Sequence, residues 1–181
     1  MPIMPNELKR VERSASLLIA KNRVQSPPVR VEEIARSLSL DLVAYDLGDG
    51  VSGALIIENG KGVIGVNPRD PKTRQRFTIA HEIGHFQLHN KTKGEKLFVD
   101  KDFIVKYRNS NNYNSEELKH EQEANAFAAE LLMPREFICA ELAKKSFAAL
   151  SEPELIEELA KLFEVSVPAM TFRLSNMNLA L

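Results

Sequence analysis

Residues 73–89 read TRQRFTIAHEIGHFQLH, and this stretch organises the rest of the chain. It contains no proline, and its apolar residues recur at helical spacing, which predicts a helix. Several sides of that helix are apolar, as in a helix buried in a protein core. Within it, His81, Glu82 and His85 form the pattern HExxH. Two histidines four residues apart lie on one helix face, about 6 Å apart along the axis, so both can reach one metal ion.

The HExxH pattern is typical of zinc-dependent peptide hydrolases. In that chemistry the two imidazoles hold the ion, and Glu82, beside the first of them, takes a proton from a metal-bound water. Two histidines and an ionisable glutamate on one buried helix would be costly without a metal. The alternative is that His81 and His85 are isolated core histidines. The helical and apolar context favours the metal site.

A catalytic zinc needs a third protein ligand and an open position for water. His89 lies four residues beyond His85. On a straight helix it is about 12 Å from His81 along the axis, which is too far for one ion with bonds of about 2 Å. We therefore expect His89 to end the helix and to face solvent or the rim of a cleft.

A second predicted helix, residues 115–132, ends before Met133-Pro134 and carries a better candidate ligand. The face of Glu121 continues through small and apolar residues, so it can lie close to another helix. Glu123 shares its side of the helix with Glu130, which we expect to face water. Glu121 is therefore predicted to be the more buried carboxylate, and a buried carboxylate is tolerated when it binds a metal.

Other assignments for this second helix remain open. If Glu121 is not the ligand, Glu123 and His120 are the next candidates. Asn125, one turn beyond Glu121, could hydrogen-bond a ligating histidine. The remaining alternative is that Glu121 and Glu123 belong to an ordinary solvated helix face.

Length, charge and cysteine content limit the classes of protein to be considered. The chain has 181 residues, a net charge of −1 and one cysteine, Cys139. The length fits one domain, or one domain with a small helical appendage. The near-zero charge gives no electrostatic case for binding nucleic acid. One cysteine excludes an internal disulfide, and we see no signal peptide or membrane-spanning window, so we expect a cytoplasmic protein.

The segments around the motif helix predict a small antiparallel sheet. A strand at residues 40–47 and a hairpin of residues 53–58 and 62–66 around Asn59-Gly60 are expected to form it. An extended peptide could add along the edge of the first hairpin strand. Residues 90–114, between the two ligand-bearing helices, are polar and irregular, so we expect a cleft rim or a flexible lid there.

Two further helices are predicted near the end of the sequence. Ser151 and Glu154 form a capping box for a helix that runs to about Phe163, and Pro168 opens the last helix. The pair resembles a helix-turn-helix, but its glutamates outnumber its basic residues, so it would repel phosphate. We therefore predict a catalytic domain at residues 1–150 and a helical appendage at residues 151–181 that packs on it.

Together these motifs resemble the ImmA/IrrE family of metallopeptidases. The resemblance is carried by RFTIAHEIGH at residues 76–85 and by ExxANxFAxxLLMP at residues 121–134, and it extends upstream to residues 28–35. It covers most of the chain. The resemblance implies an α+β, mainly helical, zincin-like core with a small antiparallel sheet and a C-terminal helical pair.

The resemblance also implies a site and a cofactor. The family's zinc ligands correspond to His81, His85 and Glu121, and its catalytic glutamate corresponds to Glu82. None of these four positions departs from the family's pattern.

The function implied by the resemblance is that of a zinc-dependent endopeptidase of bacterial or phage origin. Its usual partner is a helix-turn-helix transcriptional repressor, which is cleaved or inactivated in a stress or prophage response. The rival interpretation is a non-proteolytic binding protein of a toxin–antitoxin or repressor–antirepressor pair, with a structural or vestigial zinc site. An intact Glu82 argues against the rival, because a structural site needs no general base. We expect no direct nucleic acid partner and no membrane partner.

Overall fold

A computed structural model describes residues 3–48, 50–58, 61–89, 115–144 and 150–177 and the backbone of residues 96–101. The helices in this part of the chain are α1 (Pro5–Lys21), α2 (Val31–Ser37), α3 (Lys72–His89), α4 (Ser115–Leu132), α5 (Arg135–Leu142), α6 (Glu152–Phe163) and α7 (Val167–Asn176). The strands are β1 (Leu40–Ala44), β2 (Val51–Glu58), β3 (Lys61–Val66) and β4 (Lys96–Lys101). The predicted α+β, mainly helical class is confirmed. None of the described helices combines the length and the apolar character needed to cross a membrane.

The four strands form one mixed sheet in the order β1-β3-β2-β4. The predicted hairpin is present, because β2 and β3 pair antiparallel from Gly53↔Val66 to Glu58↔Lys61, while Asn59-Gly60 lies outside the described residues. β1 pairs with β3 in parallel. The prediction of a wholly antiparallel sheet is therefore wrong at this pairing. β2, the second strand along the chain, lies one strand away from β1 and leaves a gap beside it. β3 fills this gap between β1 and β2 and runs in the same direction as β1.

Because of β4, two predictions are wrong: that residues 90–114 are irregular, and that β2 offers a free edge to a peptide. Residues 96–101 form a strand that pairs antiparallel with β2, so the segment 90–114 is not irregular throughout. The rest of that segment lies outside the described residues. The run Leu97-Phe98-Val99 favours a strand, but it is short and stands between polar flanks. Because β4 covers β2, the predicted peptide-binding edge of β2 lies inside the sheet.

α3 lies at the centre of the fold. It packs on α4 on one side and on β2 and β3 on the other. Ala80 and Ile83 of α3 are completely buried, as are Phe127 and Leu131 of α4. This burial explains why α3 is apolar around most of its circumference. The motif helix thus belongs to the core, as its sequence predicts.

The C-terminal helices pack into the same hydrophobic core. The capping box of Ser151 and Glu154 begins α6, and the Ser151 amide donates to Glu154 Oε2 over 2.9 Å. Phe163 of α6 is buried. On α7, Arg173 donates to the Met133 carbonyl oxygen over 3.1 Å. The boundary at residue 150 between a catalytic domain and an appendage stays a prediction.

Glu130 is a buried residue, so the expectation that it faces water is wrong. Its carboxylate pairs with Arg173 of α7. Burial raises the pKa of the Glu130 carboxyl even though the Arg173 charge opposes this shift. The arginine lies 43 positions along the chain, so the spacing of residues in α4 alone could not reveal it.

Candidate metal centre

Gly84 sets how closely α3 and α4 approach. A Cβ atom at this position would lie 3.2 Å from Cα and the carbonyl oxygen of Ala124, and 3.2 Å from Cδ1 of Phe127. A glycine on α3 therefore faces an alanine on α4, and the two backbones lie nearly in contact. This approach brings Glu121, about one turn before Ala124, to the face of α3 that carries the motif histidines.

Replacing Gly84 with valine should destabilise the fold by about 1–3 kcal/mol, because the added atoms must push α4 away. The free energy of unfolding should fall even though valine has a higher helix propensity than glycine. Unfolding in urea measures this free energy. Gln87→Val, a half-buried position on the same helix, is the matched control. Equal free energies of unfolding for the two variants would contradict the close approach.

His81, His85 and Glu121 converge at the α3–α4 interface. The two Nε2 atoms are 2.9 Å apart. Glu121 Oε2 is 3.5 Å from Nε2 of His81, and Oε1 is 3.4 Å from Nε2 of His85. The three ligand atoms all lie within 4.8 Å of one another. Among the described residues, this is the one group of three or more side chains that could hold a metal ion, and it consists of the three predicted ligands.

Burial and neighbouring side chains shift the pKa values of His85 and Glu121. The side chains of His81 and His85 are each 2% exposed, and that of Glu121 is 20% exposed. Burial lowers the pKa of His85 to about 4, so its imidazole is neutral at neutral pH, as a metal ligand must be. Burial alone would raise the pKa of the Glu121 carboxyl, but the neighbouring imidazoles of His81 and His85 hold it well below its usual range.

Asn125 makes the hydrogen bond predicted from its position one turn beyond Glu121. Nδ1 of His81 donates to Oδ1 of Asn125 over 3.0 Å. A neutral His81 with its proton on Nδ1 keeps the lone pair on Nε2, the atom that faces Glu121. Asn125 therefore orients the ring and fixes its tautomer.

The predicted order of burial on α4 is wrong. The side chain of Glu123 is 3% exposed, while that of Glu121 is 20% exposed. Glu123 is buried because Arg10 of α1 donates to Oε1 over 2.6 Å, and His89 lies 2.9 Å from Oε2. Convergence with the motif histidines, and not burial, is what distinguishes Glu121 as the candidate ligand.

His89 ends α3, as predicted, but its side chain does not face solvent, which was one of the two positions expected for it. Its side chain is 4% exposed, its Nδ1 lies 3.1 Å from Nδ1 of His85, and its ring stacks on His120 with centroids 4.0 Å apart. Neither His89 nor His120 belongs to the group of three side chains that could hold a metal ion.

Glu82 lies against the sheet and is completely buried. A Cβ atom on Gly53 of β2 would clash with Cγ2 of Thr78 and would be 3.5 Å from Oε1 of Glu82. The absence of a side chain at Gly53 thus lets β2 approach α3 beside this carboxylate. Sequence reasoning did not assign these roles to Gly53 and Gly84. The available signal was an isolated glycine inside a strand and inside a helix, which indicates close backbone approach.

Two cavities of about 450 Å³ and 470 Å³ lie away from this group. Both are lined by Lys72, Arg76 and Glu164, near the first turn of α3. Neither is lined by the motif histidines or by Glu121. The candidate centre is therefore identified by the chemistry of its side chains and not by the size of a cavity.

Comparisons with known proteins show which family the chain resembles and which solved structure shares its fold. The model of the Peptidase_M78 family, described as an IrrE N-terminal-like domain, matches residues 35–175, which include α3 and α4. "Uncharacterized immunity region protein 2" of Bacillus phage phi105 is 25% identical over 124 residues, which are 68% of each chain. A solved structure described as "Mycobacterium tuberculosis transcriptional regulator" shares the fold, with a TM-score of 0.63 and 18% identity. The match covers 92% of this chain and 46% of that one, so this chain spans about half of that protein.

Proposed function

Because this chain belongs to the Peptidase_M78 family of metallopeptidases, we propose that it is a zinc-dependent endopeptidase that cleaves a helix-turn-helix transcriptional repressor. The observation that carries the proposal is the convergence of His81, His85 and Glu121, with Glu82 next to the first histidine. The family membership gives the class of reaction. We assign the roles within that reaction to the side chains of this chain.

The donor atoms fit a zinc ion. His81 donates from Nδ1 to Asn125, so its Nε2 lone pair points toward Nε2 of His85 and the Glu121 carboxylate. Electron pairs that converge at 2.9–3.5 Å are stabilised by a cation between them. Two imidazoles and one carboxylate form a known catalytic zinc set that leaves a position for water. When bound, zinc would polarise the scissile carbonyl and lower the pKa of a coordinated water to near neutrality.

Glu82 is the candidate general base. It follows His81 directly, so its side chain is rotated by about 100° around α3, toward β2. In the proposed mechanism its carboxylate takes a proton from the attacking water and delivers that proton to the leaving amine. Its complete burial keeps bulk water from competing for the proton.

The sheet offers a place for the substrate backbone. β4 is an outer strand among the described strands, and it pairs with the strand that carries Gly53 beside Glu82. An extended peptide could pair with an outer strand through main-chain hydrogen bonds, which would bind a linker with little dependence on its side chains. We propose β4 for this role in place of β2.

The nature of the partner is supported by the phage relative. That protein is named for an immunity region, and we propose for this chain a comparable role in the control of a prophage or another mobile element, or in a stress response. A repressor substrate would be met in the cytoplasm, where we propose that the protein acts.

Co-expression with candidate helix-turn-helix repressors, beginning with any that a neighbouring reading frame encodes, tests the proposal. We expect the repressor to be cut at one or a few linker sites, which mass spectrometry of the fragments would locate. Casein should be cleaved little under the same conditions. A chelator should stop the cleavage by purified protein, and added zinc should restore it. An intact repressor in the presence of zinc-loaded protein would contradict the proposed activity.

A further inference from the structure

A chain of hydrogen bonds leads away from the candidate metal centre. Nδ1 of His85 lies 3.1 Å from Nδ1 of His89, and Nε2 of His89 lies 2.9 Å from Oε2 of Glu123. Oε1 of Glu123 accepts from Nη2 of Arg10 over 2.6 Å. We call this series of contacts from His85 through His89 and Glu123 to Arg10 the relay. It starts on the side of the His85 ring that faces away from Glu121.

The relay joins three helices and is closed to solvent over most of its length. His85 and His89 belong to α3, Glu123 to α4 and Arg10 to α1. The side chains of His89 and Glu123 are 4% and 3% exposed, and that of Arg10 is 50% exposed. The ring of His120 stacks on His89 at 4.0 Å with an interplanar angle of 26°, which restricts the orientation of the His89 ring.

If His85 is to bind a metal, the hydrogen bonds of the relay can point in only one direction. Nε2 of His85 faces Glu121 and must keep a lone pair, so the ring proton lies on Nδ1. Nδ1 of His89 then accepts a hydrogen bond from the Nδ1–H group of His85. A neutral His89 therefore carries its own proton on Nε2. Nε2 of His89 donates to Oε2 of Glu123, and Oε1 of Glu123 accepts from Arg10.

We propose that His89, Glu123 and Arg10 are positioning residues that hold His85 in the tautomer and ring orientation needed for metal binding. The inference rests on the proposed metal centre. Asn125 does the same for His81 through one hydrogen bond, whereas His85 depends on a relay that ends at the surface on α1. Partners of this kind around a ligating histidine affect metal affinity by about 10–100-fold.

Glutamine at position 123 would disrupt the relay whichever way its amide points. With the amide NH₂ toward His89, the proton of His89 moves to Nδ1, and His85 is driven to carry its proton on Nε2, where the metal would bind. With the amide oxygen toward His89, the NH₂ group faces the Arg10 guanidinium, and two donors oppose each other. Without the Arg10 guanidinium, the orientation with the amide oxygen toward His89 no longer sets two donors against each other. A double variant at Arg10 and Glu123 should therefore place the histidine protons on the same nitrogen atoms as in the native relay.

Zinc affinity measured by competition with a chromophoric chelator tests the inference without any assay of cleavage. We expect Glu123→Gln to bind zinc about 10–100-fold more weakly than the native protein. The double variant Arg10→Met with Glu123→Gln should recover most of that loss. Glu117→Gln, at an exposed position on the same helix, is the matched control and should bind as the native protein does.

The tautomers themselves can be observed in ¹⁵N NMR spectra of the histidine side chains of the folded apoprotein. The native His85 should carry its proton on Nδ1, and Glu123→Gln should shift the population toward Nε2. Equal zinc affinity for Glu123→Gln and Glu117→Gln would overturn the inference, as would a double variant no tighter than Glu123→Gln. A native protein that binds no zinc would instead overturn the proposed metal centre, and with it this inference.

Discussion

Replacing Glu82 with glutamine should lower repressor cleavage by about 10²–10⁴-fold while leaving zinc binding unchanged. Glutamine has nearly the shape of glutamate, so it should fit the completely buried position beside β2. It cannot take up a proton at neutral pH, so the step assigned to the carboxylate is lost. Because Glu82 is outside the group formed by His81, His85 and Glu121, the metal affinity should not change.

The rate of repressor cleavage under single-turnover conditions measures this effect, with zinc content determined on the same samples. Glu117→Gln, which makes the same chemical change at an exposed position, should cleave at the native rate. Cleavage that survives Glu82→Gln would refute the mechanism. Derepression by Glu82→Gln without cleavage would favour the rival interpretation, a non-proteolytic binding protein.

Replacing Glu121 with alanine should reduce the zinc content from about one ion per chain to a trace. The variant keeps both imidazoles but loses the one carboxylate whose oxygens lie 3.4 Å and 3.5 Å from their Nε2 atoms. His81→Ala should have the same effect. A ligand that binds the folded state and not the unfolded state raises the temperature of unfolding. We therefore expect added zinc to raise this temperature in the native protein and not in either variant.

Elemental analysis of protein purified without added metal measures the zinc content. Glu117→Ala, on the same helix at an exposed position, should retain the native amount. Undiminished zinc in Glu121→Ala would exclude Glu121 as a ligand and direct attention to Glu123 or His120.

The parts of the fold that could be predicted are those whose cause is local in sequence. α3 could be assigned because helical periodicity and HExxH both lie within one run of residues. The hydrogen bond between Asn125 and His81 was foreseeable because Asn125 lies one turn from Glu121 on the same helix. The hairpin of β2 and β3 follows from two strand patterns around Asn59-Gly60.

The parts that could not be predicted depend on residues far apart in sequence. Glu123 is buried because Arg10, 113 positions earlier, pairs with it. β1 runs parallel to β3 because of the order in which the chain visits the sheet, which no single segment encodes. His89 was expected to face solvent or the rim of a cleft from its position at a helix end, yet α4 covers it with Glu123 and His120. Periodicity reports which face of a helix is apolar, but not which charged partner another helix brings.

X-ray absorption and anomalous diffraction at the zinc edge, measured on crystals of the zinc-loaded protein, decide where the metal binds. We expect one zinc ion bound by Nε2 of His81, Nε2 of His85 and the carboxylate of Glu121, with bonds of about 2.0–2.2 Å. We also expect no bond between Glu82 and the ion. Zinc bound at His89 and Glu123, or a crystal soaked in zinc that shows no anomalous peak between α3 and α4, would refute the proposed metal centre.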